Sequence, residues 1–489
     1  MLLAADAPPP PAHTGGLLLL IGGTPGLLIV AALGILLLLF LIIKVRLQPF
    51  VALLGVSIAV GLGAGLSVTE LFGTVQNSDA VSMIESGLGG ILGSVAIIIG
   101  LGTMLGSILE VSGGAEVLSA RLLKLFGEKR GPLAMGVTGV LFGIPVFFDV
   151  GIFVLAPIVY AATKRSGKSI VLYAMPLLAG LSMTHAFLPP HPGPVAAAGL
   201  FHVDLGWMIL MGACVGVPSV LISWIYASWI GKRVIVEVPQ DMVEAAEEAK
   251  ESVAAEQRAE GVQPQEKPVP FATVLTIIGV PLILILLATF SSIALDPSTF
   301  RSVLEFFGNP FVALTIALFL SYYLLGIRRG WSRKALERVS TSSLKPIGNI
   351  LLVVGGGGIF GAVLKGSGIA DALADTFHNI GLPIIVASYL ISLVLRVAQG
   401  SATVAIVTTA GIVVPLVQGQ DFSQGHLALI VMAISAGSVF ASHVNDGGFW
   451  MISKYFGISE RDTLKSWTVL ESVLSVAGFA VAAVLSLVI

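Results

Sequence analysis

The sequence predicts an all-α polytopic membrane protein that contains two inverted-topology repeats, re-entrant hairpins and interrupted helices. Its composition is the first reason: 56% of the 489 residues are apolar and 11% are charged, whereas soluble domains carry about 25% charged residues. The second reason is a glycine pattern that recurs in the second half of the chain. The third is that equivalent loops of the two halves differ in charge.

Composition also excludes some classes of protein. The net charge is −2 and the basic residues form no patch, so no nucleic-acid partner is expected. The single cysteine, Cys214, provides no disulfide framework. Because the charged residues are too few to cover a soluble surface, the lipid bilayer is the expected environment.

The apolar runs set the number of membrane crossings. A hydrocarbon core about 30 Å thick needs roughly 20 apolar residues per helix. Two runs, 132–162 and 383–418, are too long for one crossing; each contains a glycine-rich or polar break and is predicted to be a re-entrant hairpin. About ten full spans are predicted besides them, at 25–43, 49–66, 88–109, 170–187, 206–230, 271–294, 309–327, 347–365, 427–441 and 466–488.

These assignments divide the chain into consecutive parts. One of them is rich in charged residues and prolines, which is typical of a solvated connection between two halves. The parts are an N-terminal segment in 1–24, two spans in 25–66, repeat 1 in 88–230, the charged linker in 231–268, two spans in 271–327 and repeat 2 in 347–489.

The internal repeat is the most informative feature of the sequence. A shift of 255 residues aligns eight identical residues within 93–115, among them Gly100 with Gly355 and Gly106 with Gly361. Glycine abundance alone does not produce so many matches at one shift. The chain is therefore predicted to consist of two related halves.

Loop charge predicts how the halves are oriented. Loops 110–131 and 163–169 are basic, whereas their counterparts 366–381 and 419–426 contain no Lys or Arg. Since cytoplasmic loops are enriched in Lys and Arg, equivalent loops are predicted to lie on opposite sides of the membrane. This orientation also places the linker in the cytoplasm and requires each hairpin to enter and leave on one side.

The helix breaks predict a binding site near the middle of the membrane. Such breaks present backbone amides and helix N-termini, whose partial positive charge suits an anion. Glycine and proline at the breaks let the backbone approach a ligand closely. The residues alone therefore predict a secondary transporter for a small anionic solute. We expect no enzyme activity and no cofactor, because no such motif is present.

Asp149 is the acid of the first hairpin and follows its break directly. A carboxylate inside an apolar run is costly unless it faces a cavity, is paired or carries a proton. We predict that Asp149 takes part in proton coupling. The alternative is a permanently paired acid that holds the hairpin together.

A second polar cluster occupies residues 182–194, where four prolines in six positions force a helix break. His185 and His191 flank the break, and Gly193 follows it. Histidine titrates near physiological pH and donates hydrogen bonds to carboxylates and hydroxyls. We therefore predict that these three residues bind the substrate and that His185 also relays protons. A packing role is the alternative, and a metal site is not expected because no third ligand lies nearby.

The counterpart of this cluster in the second half contains His443, Asn445 and Asp446. The first two are predicted to bind the substrate. Asp446 is predicted to carry a proton or to repel the wrong charge. Together with the second cluster, these residues are expected to surround the site.

The tip of the second hairpin adds neutral groups, with Gly400, Ser401 and Thr403 predicted to bind the substrate. Gln399 offers a further hydrogen-bonding group at the same tip. Arg396 lies about one turn earlier and pairs either with a substrate carboxylate or with an acid such as Asp446.

These clusters resemble the gluconate permease (GntP) family of the ion transporter superfamily. The similar segments are 184–194, 400–405 and 442–450, and weaker similarity runs from about residue 43 to the C-terminus. Gly447 stands where proline is expected in many relatives. The resemblance implies a bacterial inner-membrane symporter that imports gluconate or a related sugar acid with protons by alternating access.

Two other functions fit parts of the pattern. A sodium-coupled carboxylate or dicarboxylate symporter would also use hairpin tips, with Ser401 and Thr403 holding the cation. An anion channel would show flux without accumulation, and the forced helix breaks favour a binding site over an open pore. Transporters of related architecture are often dimers, so a homodimer is a further expectation.

Overall fold

The computed structural model describes residues 23–73, 82–237, 268–345, 347–380, 382–417 and 420–489. These ranges are helical and contain no β-strand. The N-terminal segment predicted at 1–24 lies outside the described residues except for its last two. The linker predicted at 231–268 is described only at its ends.

Before the linker, one helix is interrupted at residues 188–191. The helices of this part are α1 (Gly23–Ile43), α2 (Pro49–Gly63), α3 (Val68–Phe72), α4 (Met83–Val111), α5 (Gly114–Phe126), α6 (Gly131–Gly143), α7 (Phe148–Ser166), α8 (Ile170–Phe187), α9 (Pro192–Phe201) and α10 (Leu205–Ile230).

After the linker, one helix is likewise interrupted, at residues 439–446. The helices of this part are α11 (Phe271–Ala294), α12 (Thr299–Gly308), α13 (Pro310–Ser321), α14 (Arg333–Ser343), α15 (Ile347–Gly366), α16 (Ile369–Ile380), α17 (Ile384–Gln399), α18 (Ala402–Val417), α19 (Gln424–Ser438), α20 (Gly447–Tyr455), α21 (Glu460–Thr463) and α22 (Val469–Leu485). A π-helical turn, Leu464–Thr468, joins α21 to α22.

Local sequence explains where several of these helices begin and end. The side chain of Asp204 caps α10 by accepting hydrogen bonds from the backbone N–H groups of Gly206 and Trp207. Gly167 ends α7 with φ of 64°, and Gly400 ends α17 with φ of 81°. Glycine suits both positions, because other residues adopt a left-handed backbone only at a cost.

Eight helical segments in the described part of the chain are long and apolar enough to cross a membrane. They include α4, α10 and α15, and five further apolar helices are shorter. The protein is therefore an all-helical, multi-pass membrane protein, as its composition predicts. The number of ten full spans stays a prediction.

The helices of 88–230 and 347–489 follow the same order. In each half a long helix (α4, α15) precedes a short one (α5, α16), followed by a pair joined at a break (α6–α7, α17–α18). A helix that stops and restarts comes next (α8–α9, α19–α20), and a long final segment ends each half (α10, α21–α22). The inversion of one half relative to the other stays a prediction.

The run predicted to be the first hairpin, 132–162, contains α6 and α7, which are separated by residues 144–147. The second, 383–418, contains α17 and α18, which meet at Gly400 and Ser401. Both breaks fall where the sequence places glycine or polar residues. Each hairpin break lies beside the broken helix of its own half, with His191 next to Gly143 and Asn445 next to Gly400. Residues at both breaks line one polar cavity.

Close helix packing explains much of the glycine content. A Cβ atom at Gly139 of α6 would lie 2.2 Å from the carbonyl oxygen of Leu177 in α8. The long helices α4 and α15 meet in the same way, since a Cβ at Gly358 would lie 2.4 Å from the Gly87 oxygen. Small residues permit such contacts between membrane helices. In α8 every residue except His185 is buried, so this helix forms the core against which the first hairpin packs.

Candidate functional site

A cavity of about 470 Å³ lies where the two hairpins and the two broken helices meet. Its volume is within the usual range of roughly 300–1,000 Å³ for small-molecule sites. The cavity is lined by the first turn of α7, the end of α8, the tip between α17 and α18, the break before α20 and the final span. Its polar lining residues are Asp149, Ser182, His185, Arg396, Gln399, Ser401, Thr403, Asn445, Asp446, Trp467 and Glu471.

An ion pair between Arg396 and Asp446 forms one wall. The Arg396 side chain is almost fully buried, and its Nη2 lies 2.5 Å from Asp446 Oδ2. Its Nη1 donates to the carbonyl oxygen of Gly400. The sequence leaves open whether Arg396 pairs with a substrate carboxylate or with an acid of the protein, and in the structure it pairs with Asp446. The guanidinium therefore ties the second hairpin tip to the break before α20.

Asp446 has a full set of partners. Besides the guanidinium, its Oδ2 accepts a hydrogen bond from Ser442 Oγ. Its Oδ1 accepts one from the backbone N–H of Gly448 at 2.9 Å and thereby caps α20. These contacts fix the position of the carboxylate at the break before α20.

The final span is anchored to the same break by Trp467. Its indole Nε1 donates to Ser442 Oγ at 2.7 Å. The ring also stacks on Phe148 of the first hairpin, with 5.6 Å between the ring centres. Trp467 belongs to the π-helical turn Leu464–Thr468, and π-turns inside helices occur frequently at functional sites.

Asp149 lies in the first turn of α7, is exposed and lines the cavity. The N-terminus of a helix carries partial positive charge, which stabilises a carboxylate there. Asp149 therefore presents its carboxyl group to the cavity from the positive end of α7.

The two histidines of residues 182–194 differ in position. His185 lines the cavity, and its ring centre lies 5.0 Å from that of His191. His191 is buried behind it, with Nε2 2.6 Å from the carbonyl oxygen of Gly143. His191 therefore links the break after α8 to the break in the first hairpin and does not line the cavity.

Two further residues predicted to bind substrate lie away from the cavity lining. His443 directs Nδ1 to the carbonyl oxygen of Ala441 at 2.8 Å. Gly193 packs against α18, where a Cβ would lie 2.8 Å from a side-chain atom of Ile406. The described residues contain no group of three or more His, Cys, Asp or Glu that could hold a metal.

The hairpin tip supplies neutral polar groups, as its sequence suggests. Gly400, Ser401, Thr403 and Asn445 all line the cavity. The amide of Gln399 is buried beside them, and neither its nitrogen nor its oxygen has a hydrogen-bond partner among the described residues. An unpaired buried amide is costly, so Gln399 is free to bind a ligand.

Glu471 is a cavity residue that the sequence reasoning missed. It lies in α22, is 2% exposed, and accepts a hydrogen bond from Ser182 Oγ at 2.9 Å. Its other oxygen, Oε1, has no partner within the described residues. The available signal was an acid inside the apolar run 466–488, which marks a functional position by default.

A larger cavity of about 660 Å³ lies between α5, α7 and α8, near the ends of the first hairpin. Glu116, Lys124 and Arg165 line it together with mostly apolar residues. None of the predicted substrate or proton residues does so. The smaller cavity, where polar groups converge from both halves, is therefore the candidate site.

Comparison with known proteins identifies the family of the chain. The model of the GntP family permeases matches residues 26–488. The inner membrane permease YgbN of Escherichia coli is 42% identical over 92% of this chain and 96% of its own length. The gluconate permease of Bacillus subtilis is 39% identical over 93% of this chain and 98% of its own. The low-affinity gluconate transporter of E. coli is 34% identical over 90% and 93%.

Two solved structures share the fold. Neisseria gonorrhoeae MtrF, described as one of a class of antimetabolite efflux pumps, has a TM-score of 0.59 at 16% identity over 89% of this chain and 93% of its own. The YdaH transporter of Alcanivorax borkumensis has a TM-score of 0.56 at 16% identity, over 82% and 87%. With a family match along nearly the whole chain and relatives at 34–42% identity, the chain belongs to the GntP family of permeases and is a membrane transporter, not an enzyme.

Proposed function

We propose that this permease imports gluconate or a related sugar acid together with protons by alternating access. Two of the relatives above are named for gluconate. The candidate site lies where both hairpins and both breaks meet, which is where secondary transporters bind their substrates. The proposal places the protein in the bacterial inner membrane, with the linker 231–268 in the cytoplasm.

The unpaired polar atoms of the cavity support a hydroxyl-rich anion as substrate. Gln399 offers a donor and an acceptor, and His185 Nδ1 and Arg396 Nε are buried without partners in the described part of the chain. Ser401 and Thr403 add hydroxyls. Hydroxyl groups of a sugar acid both donate and accept hydrogen bonds, so they match the amide, whereas the carboxylate matches Arg396 and His185.

The observation that carries proton coupling is the charge of the cavity lining. Three carboxyl groups, from Asp149, Asp446 and Glu471, face a single guanidinium, that of Arg396. Since Asp446 already neutralises Arg396, a monoanionic substrate would enter a site with excess negative charge. Binding a proton to the site removes this repulsion. Asp149, His185 and Asp446 remain the residues that the sequence proposes for this role.

The test is uptake of labelled gluconate by proteoliposomes. A pH gradient, acid outside, should drive accumulation, and a protonophore should abolish it. A sodium gradient at fixed pH should have no effect. Accumulation driven by sodium alone would identify the sodium-coupled symporter instead. Flux that equilibrates without accumulation under either gradient would identify a channel.

A further inference from the structure

The three carboxyl groups of the cavity have different surroundings. Asp446 is paired with Arg396 and accepts two more hydrogen bonds, from Ser442 and Gly448. Both of its oxygens are thus engaged in contacts that fix the hairpin tip and the start of α20. Asp446 therefore holds the structure of the site together.

Asp149 is the most exposed of the three. It lies in the first turn of α7 with its side chain open to the cavity. Its carboxyl group is therefore less desolvated than that of Glu471.

Glu471 has the opposite surroundings. It is 2% exposed, within the final span. One oxygen accepts a hydrogen bond from Ser182, and the other has no partner among the described residues. An ionised carboxylate buried with one hydrogen bond and no direct cationic partner is strongly disfavoured. Of the three carboxyl groups of the cavity, Glu471 is therefore the one whose charge is least compensated by its surroundings.

The charged and titratable groups around Glu471 come from α7, α8, α17 and the break before α20. Arg396 of α17 is the nearby cation, but its Nη2 is committed to Asp446. His185 on α8 and Asp149 on α7 line the same cavity. Arg396 and Asp446 carry opposite charges, so their effects on Glu471 oppose each other.

We propose that Glu471 binds the proton that is coupled to substrate uptake, an inference that rests on the proton symport proposed above. The carboxylate takes a proton from cavity water on the outer side and becomes a neutral acid. The neutral acid no longer repels the substrate anion, so proton and anion bind together. On the inner side the acid returns the proton to water, and its restored charge favours release of the anion.

Glu471→Gln tests the assignment because glutamine has nearly the shape of the protonated acid and cannot release a proton. Exchange of labelled for unlabelled gluconate across the liposome membrane should persist. Accumulation driven by a pH gradient should fall to an inside-to-outside ratio of about one, as expected when the coupled proton is lost. Glu460→Gln, the same substitution at an exposed acid of α21, should accumulate like the wild type.

The outcomes distinguish this inference from the proposed function. If the wild type itself does not accumulate gluconate under a pH gradient, the proposed symport is wrong. If the wild type accumulates and Glu471→Gln does so equally, Glu471 is not the proton site. The inference is also contradicted if the Glu471→Gln protein folds but has lost both accumulation and exchange, because glutamine mimics the protonated, transport-competent acid.

Ser182→Ala provides a second measurement that does not require Glu471→Gln to fold. The Ser182 hydroxyl donates to Glu471 and stabilises its ionised form. Without it Glu471 keeps its proton to higher pH, so the alkaline limb of gluconate uptake should move upward by about half to one pH unit, or three- to tenfold in proton concentration. An unchanged pH profile would overturn the assignment.

Discussion

Loss of the Arg396 guanidinium should strongly destabilise the protein. Arg396 is 4% exposed, and its Nη2 lies 2.5 Å from Asp446 Oδ2. Replacement by methionine keeps the apolar stem but leaves the carboxylate with Ser442 and Gly448 as its remaining partners. Removing one partner of a buried pair costs about 3–5 kcal/mol. Because two hydrogen bonds survive, we expect the lower end of this range.

A double-mutant cycle measures this cost directly. The free energy of unfolding is followed in mixed detergent micelles for Arg396→Met, Asp446→Asn and the double variant. The double variant should recover at least roughly 1 kcal/mol relative to the sum of the two single changes, as coupled neighbours do. Methionine beside a neutral asparagine leaves no unpaired charge.

The exposed pair Arg301–Glu305 provides a matched control. Its atoms are 2.7 Å apart, but the two side chains are 25% and 42% exposed. Pairs of this kind contribute about 0.3–0.5 kcal/mol, so Arg301→Met should be nearly neutral. The reasoning is wrong if Arg396→Met costs no more than Arg301→Met, or if Asp446→Asn brings no recovery in the Arg396→Met background.

Three other substitutions test separate parts of the account. Gly139→Ala should lower the yield of folded protein, measured by fluorescence-detected size exclusion, because its Cβ would lie 2.2 Å from a backbone oxygen. Gly93→Ala should leave the yield unchanged, because nothing lies within 4 Å of a Cβ there. Equal yields of the two variants would contradict the packing of α6 on α8. Gln399→Leu should raise the KM for gluconate roughly tenfold, for the loss of one or two hydrogen bonds. It should not lower thermal stability, because it removes an unpaired buried amide; an unchanged KM would exclude Gln399 from the substrate site. Asp149→Asn should retain accumulation driven by a pH gradient and lower the KM, because one repelling charge is removed; loss of accumulation with exchange intact would make Asp149 the proton carrier.

The sequence predicted an all-helical, multi-pass membrane protein correctly, because composition and the length of apolar runs decide this class. Low charge content and long apolar runs determine that the helices lie in a membrane. The break in the first hairpin was predicted from local residues, since the proline and glycine there weaken a helix. The tip at Gly400 likewise follows from a backbone that only glycine adopts easily.

The candidate site was predicted less completely, because the direction of a side chain depends on tertiary packing. His191 and Gly193 lie in the expected break, but the fold turns one toward Gly143 and the other toward Ile406. Arg396 had two plausible partners in the sequence, and only the approach of α17 to the break before α20 selects Asp446. Glu471 was missed because the sequence alone does not show that this acid of an apolar span faces the cavity.

Accumulation at a known pH gradient tests proton symport most directly. Proteoliposomes are held at zero membrane potential and given a gradient of one pH unit, acid outside. One proton per gluconate anion predicts an inside-to-outside ratio of about ten, since one pH unit is about 1.4 kcal/mol. Transfer of one proton with one anion moves no net charge, so the ratio should not change when a membrane potential is imposed. A ratio that stays at one under the pH gradient, or that rises only with a sodium gradient, would contradict proton-coupled import.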